Sequence, residues 1–132
     1  MFSQIFVNLP VQDLKRSMAF FDKLGLTFNP QFTNDDAACM VIGDNIFSML
    51  VRRERFKDFI PDTAICDATK DTEVLVALRC ESRERVDECV RRAVAAGGKT
   101  FRPVEDHGFM YAHAFKDLDG HIWEAFWMEA GK

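Results

Sequence analysis

Gln4-Ile5-Phe6-Val7-Asn8-Leu9-Pro10-Val11-Gln12-Asp13-Leu14-Lys15-Arg16-Ser17-Met18-Ala19-Phe20-Phe21 passes from a strand pattern to a helix pattern with one cap between them. Ile5, Val7 and Leu9 alternate, so they share one face of a strand and leave Phe6 and Asn8 on the other. Asp13 is placed as the N-cap, where a side-chain oxygen accepts one of the amide N–H groups that a first helical turn leaves unpaired. Leu14, Met18, Phe21 and Leu24 then recur at intervals of four and three, which predicts an amphipathic helix over residues 14–24, stopped by Gly25.

Working outward, three β-like runs follow at 26–32, 37–42 and 46–51, separated by the turn signals Asn34-Asp35-Asp36 and Gly43-Asp44-Asn45. Together with the opening segment they make a βαβββ unit. From Arg52 to Thr72 the composition shifts to mixed charge, Pro61 and short polar residues, which reads as a solvated connection. Arg52, at the end of a strand, is also placed to reach an anionic ligand.

Beyond the connection the order repeats. Val74 to Cys80 is strand-like, Ser82 is an N-cap, and Val86, Cys89, Val90, Ala93 and Val94 form a helical stripe ending at Gly97-Gly98. Strand candidates follow at 100–102, 109–115 and 121–128. Asp13 and Ser82 are 69 residues apart, as are Phe6 and Leu75, and Gly25-Leu26-Thr27-Phe28 matches Gly98-Lys99-Thr100-Phe101 after an insertion in the second helix. An internal duplication explains this spacing. The expectation is an α+β fold of two tandem βαβββ modules, 1–53 and 73–132, joined by 54–72. One helix covers only one face of a four-stranded sheet. The uncovered faces are therefore expected to form a partly closed, cup-shaped sheet lined by positions pointing away from the helices.

The 132 residues fit one domain, and 48% hydrophobic content is enough for its core. Seventeen basic against 21 acidic side chains, a formal net charge of −4, gives no nucleic-acid footprint. The apolar runs are too short for a membrane span, and no signal-peptide pattern opens the chain, so a cytoplasmic protein is expected. Cys39, Cys66, Cys80 and Cys89 lack metal-type or disulfide-dense spacing and read as reduced thiols. Thirteen Phe exceed what an average core needs and hint at a lined cavity.

Two segments carry a family resemblance. Val11 to Phe21 with Leu24-Gly25-Leu26, and Asp117-Leu118-Asp119-Gly120-His121-Ile122-Trp123-Glu124, resemble the first strand-helix segment and the last hairpin of the vicinal oxygen chelate superfamily. That superfamily groups glyoxalases, extradiol dioxygenases and bleomycin- or fosfomycin-resistance proteins. Asp106 to Tyr111 with Trp123-Glu124 is similar to a subgroup labelled predicted lactoylglutathione lyase. The resemblance implies a metal site with one ligand from each of four strands, usually His or Glu. The matching positions here are Phe6, Met49, Leu75 and Glu124. Only Glu124 is a hard donor. Phe6 and Leu75 offer none, and the Met49 thioether is poorly suited to Zn²⁺, Ni²⁺, Fe²⁺ or Mn²⁺. The expectation is therefore no metal and no other cofactor. His107, His113 and His121 lie close in sequence, but strand alternation sends His113 and His121 in directions that do not build a replacement site.

Parity aims Phe6, Asn8, Met49, Leu75 and Glu124 into the cup, with Phe47 and Phe126. Glu124 would be poorly hydrated there unless Arg52, Arg79 or a hydroxyl pairs with it, a setting suited to acid/base work or to recognition of a cation. The Tyr111 hydroxyl is a candidate for orienting a ligand at the mouth, and the His107-Gly108 loop for covering it. Trp123 and Trp127 face the opposite way, toward packing. The expected function is binding of a hydrophobic or aromatic small molecule without the family metal. The alternative is a metal-independent lyase or isomerase using Glu124 as its catalytic group, or a lactoylglutathione lyase. Members of the family usually dimerise, so the resemblance implies a homodimer.

Overall fold

The strand that opens the chain, β1 (Ile5–Val11), buries Leu9 and Val11 and leaves Phe6 and Asn8 exposed, as its alternation requires. A computed structural model describes residues 1–131. Helix α1 (Leu14–Lys23) follows, and its Asp13 cap accepts the Arg16 N–H at 3.2 Å. Strand β2 (Thr27–Asn29) is shorter than the run at 26–32 suggested. Pro30 has no N–H to continue a ladder, and Pro30–Phe32 turns instead as a short 3-10 helix on the Asn29 side chain. Strands β3 (Ala37–Gly43) and β4 (Ile46–Arg52) complete the first unit, and a helical turn, α2 (Arg53–Phe56), begins the connection.

The second unit contains β5 (Leu75–Arg79), α3 (Arg83–Ala95), β6 (Lys99–Thr100), β7 (Glu105–Asp106), β8 (Met110–Lys116) and β9 (Ile122–Met128). The chain divides into two compact units, Met1–Ile65 and Cys66–Lys132. The first holds a four-stranded sheet ordered β1-β4-β3-β2; the second holds a sheet ordered β5-β9-β8-β6, with β7 also paired to β8. In each, the first strand runs parallel to the last while the others are antiparallel. This is the same βαβββ topology twice.

The helices of the two units are built alike. Ser82 caps α3 by accepting the Arg85 N–H at 3.2 Å, in the manner of Asp13. At the other end Leu26 N–H donates to Phe21 O and Gly25 N–H to Asp22 O, while Gly98 N–H donates to Ala93 O and Gly97 N–H to Val94 O. Both are the closure in which a left-handed residue reverses the chain, and Gly25 and Gly97 carry the positive φ, +93° and +107°. Gly97, not Gly98, is thus the counterpart of Gly25, which shifts the expected alignment by one residue.

Each helix packs its apolar stripe on one sheet face. In the first unit Leu14, Phe20 and Phe21 are buried, with the Phe20 and Phe21 rings edge to face at 4.9 Å, and the buried Ser48 hydroxyl donates to Val7 O at 2.9 Å. In the second, Val86, Val90 and Ala93 of α3 are buried along with Phe115, Trp123 and Ala125. No helix among the described residues is long and apolar enough to cross a membrane.

Candidate functional site

The register fixes which residues share the helix-free face of each sheet. In the first unit Phe6 lies beside Phe47 and Asn8 beside Met49. The two rings stack with centroids 4.6 Å apart and planes 13° from parallel, and Phe6 remains 40% exposed. Asn8 is exposed and donates its amide to Phe6 O at 3.2 Å. Met49 is half-buried.

In the second unit Leu75 lies beside Ile122 and Ala77 beside Glu124. Asn8 and Ala77 occupy the same step of their strands, so Met49 and Glu124 hold equivalent positions, as do Phe6 and Leu75. Leu75 is 43% exposed. Glu124 is not left alone: its carboxylate accepts from Arg102 Nη2 in an ion pair whose side chains are only 27% and 21% exposed. Sequence reasoning missed Arg102. The two arginines it offered are committed elsewhere, Arg52 to Asp36 Oδ1 at 2.6 and 3.1 Å, and Arg79 to Met128 O at 2.8 Å.

Tyr111 falls on the helix side of its sheet. It pairs in register with Trp127, and its hydroxyl donates to Asp87 Oδ1 of α3 at 2.7 Å, a bond that raises its pKa. Arg83 lies 5.0 Å from the Tyr111 ring and 5.2 Å from the Trp127 ring. It also grips Asp106 through both carboxylate oxygens and donates to Gly108 O, tying the 105–108 segment to α3 and holding the Asp106 carboxyl below its usual range. The His107 loop is anchored by this guanidinium. His107 Nε2 itself is 3.7 Å from Glu105.

The Asp117-Leu118-Asp119-Gly120-His121 turn is explained by hydrogen bonding. Asp117 Oδ1 accepts the N–H groups of Asp119 and His121, and Oδ2 accepts Trp123 Nε1–H at 3.0 Å. Burial pushes the Asp117 carboxyl upward, opposed by His121 and by these donors. The thiols of Cys39, Cys80 and Cys89 are likewise pushed up by burial, Cys89 to about 11, a setting for inert side chains rather than nucleophiles. A shallow pocket of about 270 Å³ lies among Gln12, Arg52, Arg53 and Glu54, at the far end of β1 and β4 from Phe6. Among the described residues no three His, Cys, Asp or Glu side chains converge as a metal-ligand group.

The architecture defines an α+β protein of two βαβββ modules, each with one helix-covered and one helix-free sheet face. Residues 4–43 match the family described as bleomycin resistance protein-like N-terminal. The whole chain is similar to a hypothetical protein from S. aureus, 28% identical, covering 96% of this chain and 94% of that one with a TM-score of 0.79. It shares its fold with a glyoxalase-related enzyme from Fulvimarina pelagi, at 22% identity, 96% and 88% coverage and a TM-score of 0.79. It also shares it with a genomically encoded fosfomycin resistance protein from Listeria monocytogenes, at 19%, 98% and 97%, and 0.70. None of the curated proteins matches the chain. The fold is thus the one shared by these glyoxalase-related and resistance-protein structures, and over residues 4–43 the sequence is also similar to the bleomycin resistance protein-like family.

Proposed function

We propose that this protein binds a hydrophobic or aromatic small molecule on the helix-free sheet surfaces and does so without the superfamily's metal. The observation that carries the reading is the stacked, partly exposed Phe6–Phe47 pair, because Phe6 stands where the superfamily resemblance implies a metal ligand. An exposed aromatic pair offers a flat apolar surface on which a planar ligand stacks. The donor chemistry points the same way. Phe6 and Leu75 have no ligating atom, Met49 offers a soft thioether, and the Glu124 carboxylate is engaged by Arg102. These residues do not fit a hard or borderline divalent ion.

The lyase alternative, whether metal-independent or on lactoylglutathione, requires Glu124 to take and release a proton. The Arg102 guanidinium occupies that carboxylate, so a substrate proton has to compete with an ion pair for it. A cytoplasmic homodimer completes the proposal; a monomeric mass in solution refutes that part.

The test is a thermal-shift and calorimetric screen of planar aromatic compounds on the purified protein and on Phe6→Ala. Saturable binding, weakened about tenfold or more in the variant, is expected for loss of a stacking face. Turnover of methylglyoxal and glutathione that appears with added Ni²⁺ or Zn²⁺ and disappears in Glu124→Gln overturns the proposal.

A further inference from the structure

The Glu124–Arg102 pair lies on the second sheet's helix-free face. Lys116 is on this face, two residues along the register from the Ala114–Glu124 step, and its ammonium is 5.3 Å from the Phe101 ring. The Arg102 guanidinium carbon is 5.8 Å from the same ring, and Phe101 is 41% exposed. Lys99 is the direct register partner of Lys116. Like charges directly opposite on a sheet repel, and Lys99 and Lys116 form such a pair on the face that also carries Glu124 and its partner Arg102. The surface therefore carries excess positive charge beside an exposed aromatic ring.

Arg102 supplies the more telling feature. Glu124 accepts from Nη2, while the neighbouring Nε–H is buried and has no hydrogen-bond partner. Nε and Nη2 form one edge of the guanidinium, the edge that a carboxylate takes with two oxygens. Leaving one donor of that edge unpaired in a poorly hydrated place is costly. An anion that displaces Glu124 from this edge, taking Nε and Nη2 with two oxygens, removes the cost and offsets the lysines at once.

We infer that Arg102, supported by Lys116, recognises a carboxylate or similar anionic group, so that the ligand is an aromatic or hydrophobic acid. This rests on the binding function proposed above and names the chemical class of its ligand. The aromatic body of the acid lies against apolar side chains such as Phe101 and Leu75, while the anion takes the guanidinium edge in competition with Glu124.

The experiment compares 2-naphthoate with 2-naphthamide, which differ in charge but little in shape, by isothermal titration of the intact protein. Naphthoate is expected to bind wild type about tenfold tighter, the size of one charge-assisted hydrogen bond. The preference for acid over amide is expected to vanish in Arg102→Met, to shrink in Lys116→Gln and to grow in Glu124→Gln. A merely structural ion pair predicts instead that Glu124→Gln weakens both ligands. Equal binding of acid and amide to wild type, or a preference that survives both Arg102→Met and Lys116→Gln, overturns the inference and leaves aromatic binding standing. Failure of both probes to bind overturns the two readings together.

Discussion

Replacing Gly120 by Ala tests the geometry of the turn that leads into β9 and sets the position of Glu124. Gly120 has φ +90°, and a Cβ built there meets Ala68 O at 2.9 Å, Ala68 C at 3.0 Å and Thr69 N at 3.0 Å. Two costs add. A left-handed conformation at a residue with a Cβ costs about 1–2 kcal/mol. Forcing an extra carbon into a filled space costs about 1–3 kcal/mol more, and here the obstructing atoms are backbone, which cannot rotate away as a side chain can. The expected loss is about 2–5 kcal/mol, a large part of the roughly 5–15 kcal/mol that holds a domain together. Gly108 is the internal control: its φ is +79°, but a Cβ there meets nothing within 4 Å. Gly108→Ala should therefore show only the conformational part, about 1–2 kcal/mol. Urea unfolding of the two variants at equal m-values measures the difference directly, and the midpoint temperature should fall by about 3–5 °C per kcal/mol at this chain length. If Gly120→Ala is no less stable than Gly108→Ala, the contact with Ala68 and Thr69 does not constrain the turn and the reasoning fails.

Asp117→Ala removes the acceptor of three donors, among them the buried Trp123 indole N–H, and is expected to cost about 2–4 kcal/mol in urea unfolding, with a shifted Trp fluorescence maximum. An unchanged unfolding midpoint would show that these bonds are replaceable by water. For Arg83→Gln the effect depends on pH. The Asp106 carboxyl is held below its unfolded value, so its contribution is present above the ordinary carboxylate range and is lost as pH falls through the depressed folded value. Wild type and Arg83→Gln should therefore differ in stability at neutral pH and converge in acid; a gap independent of pH contradicts the pairing. Cys89, raised to about 11 by burial, should react with a thiol reagent at neutral pH far more slowly than the exposed Cys66, and equal rates in the native protein would refute its burial.

The elements that sequence revealed are those enforced by backbone chemistry. Asp13 and Ser82 cap helices in the structure because a short oxygen-bearing side chain satisfies an otherwise unpaired N–H, and that requirement is local. Gly25 and Gly97 end the helices for a similar local reason. Pro30 carried an equally local message, the truncation of β2, which the hydrophobic run from 26 to 32 obscured. Tyr111 shows where such reasoning stops. Alternation correctly groups Tyr111 with His113 and Phe115, but which sheet face that group occupies depends on how the 117–121 turn sets β8 against β9. The pairing of Lys116 with Ile122 decides it, and places Tyr111 with Trp127 beneath α3. Arg102 was illegible for a stronger reason. It follows the short strand β6 and reaches Glu124 two strands away in the order β6-β8-β9, a contact with no periodic signature.

The duplication separates these two kinds of information within one chain. Caps, helix ends and strand pairing recur in both halves, because a βαβββ unit cannot close its helix or align its first strand with its last by many other means. The equivalent positions on the helix-free faces have diverged: Phe6 against Leu75, Met49 against Glu124, Asn8 against Ala77. Nothing in the backbone requires a particular side chain there, so those positions are free to differ without cost to the fold. The first unit has become aromatic and soft at them, while the second keeps one acid, now matched by a guanidinium from outside its repeat position. Under the binding function proposed above, the two faces ask different things of a ligand: the first an apolar stacking surface, the second a charge. Exchanging a face between units, for example Phe6→Leu with Leu75→Phe, should leave the caps, the pairing and the stability nearly unchanged while altering aromatic affinity. A large loss of stability from that double exchange would mean that the faces are part of the folding requirement after all.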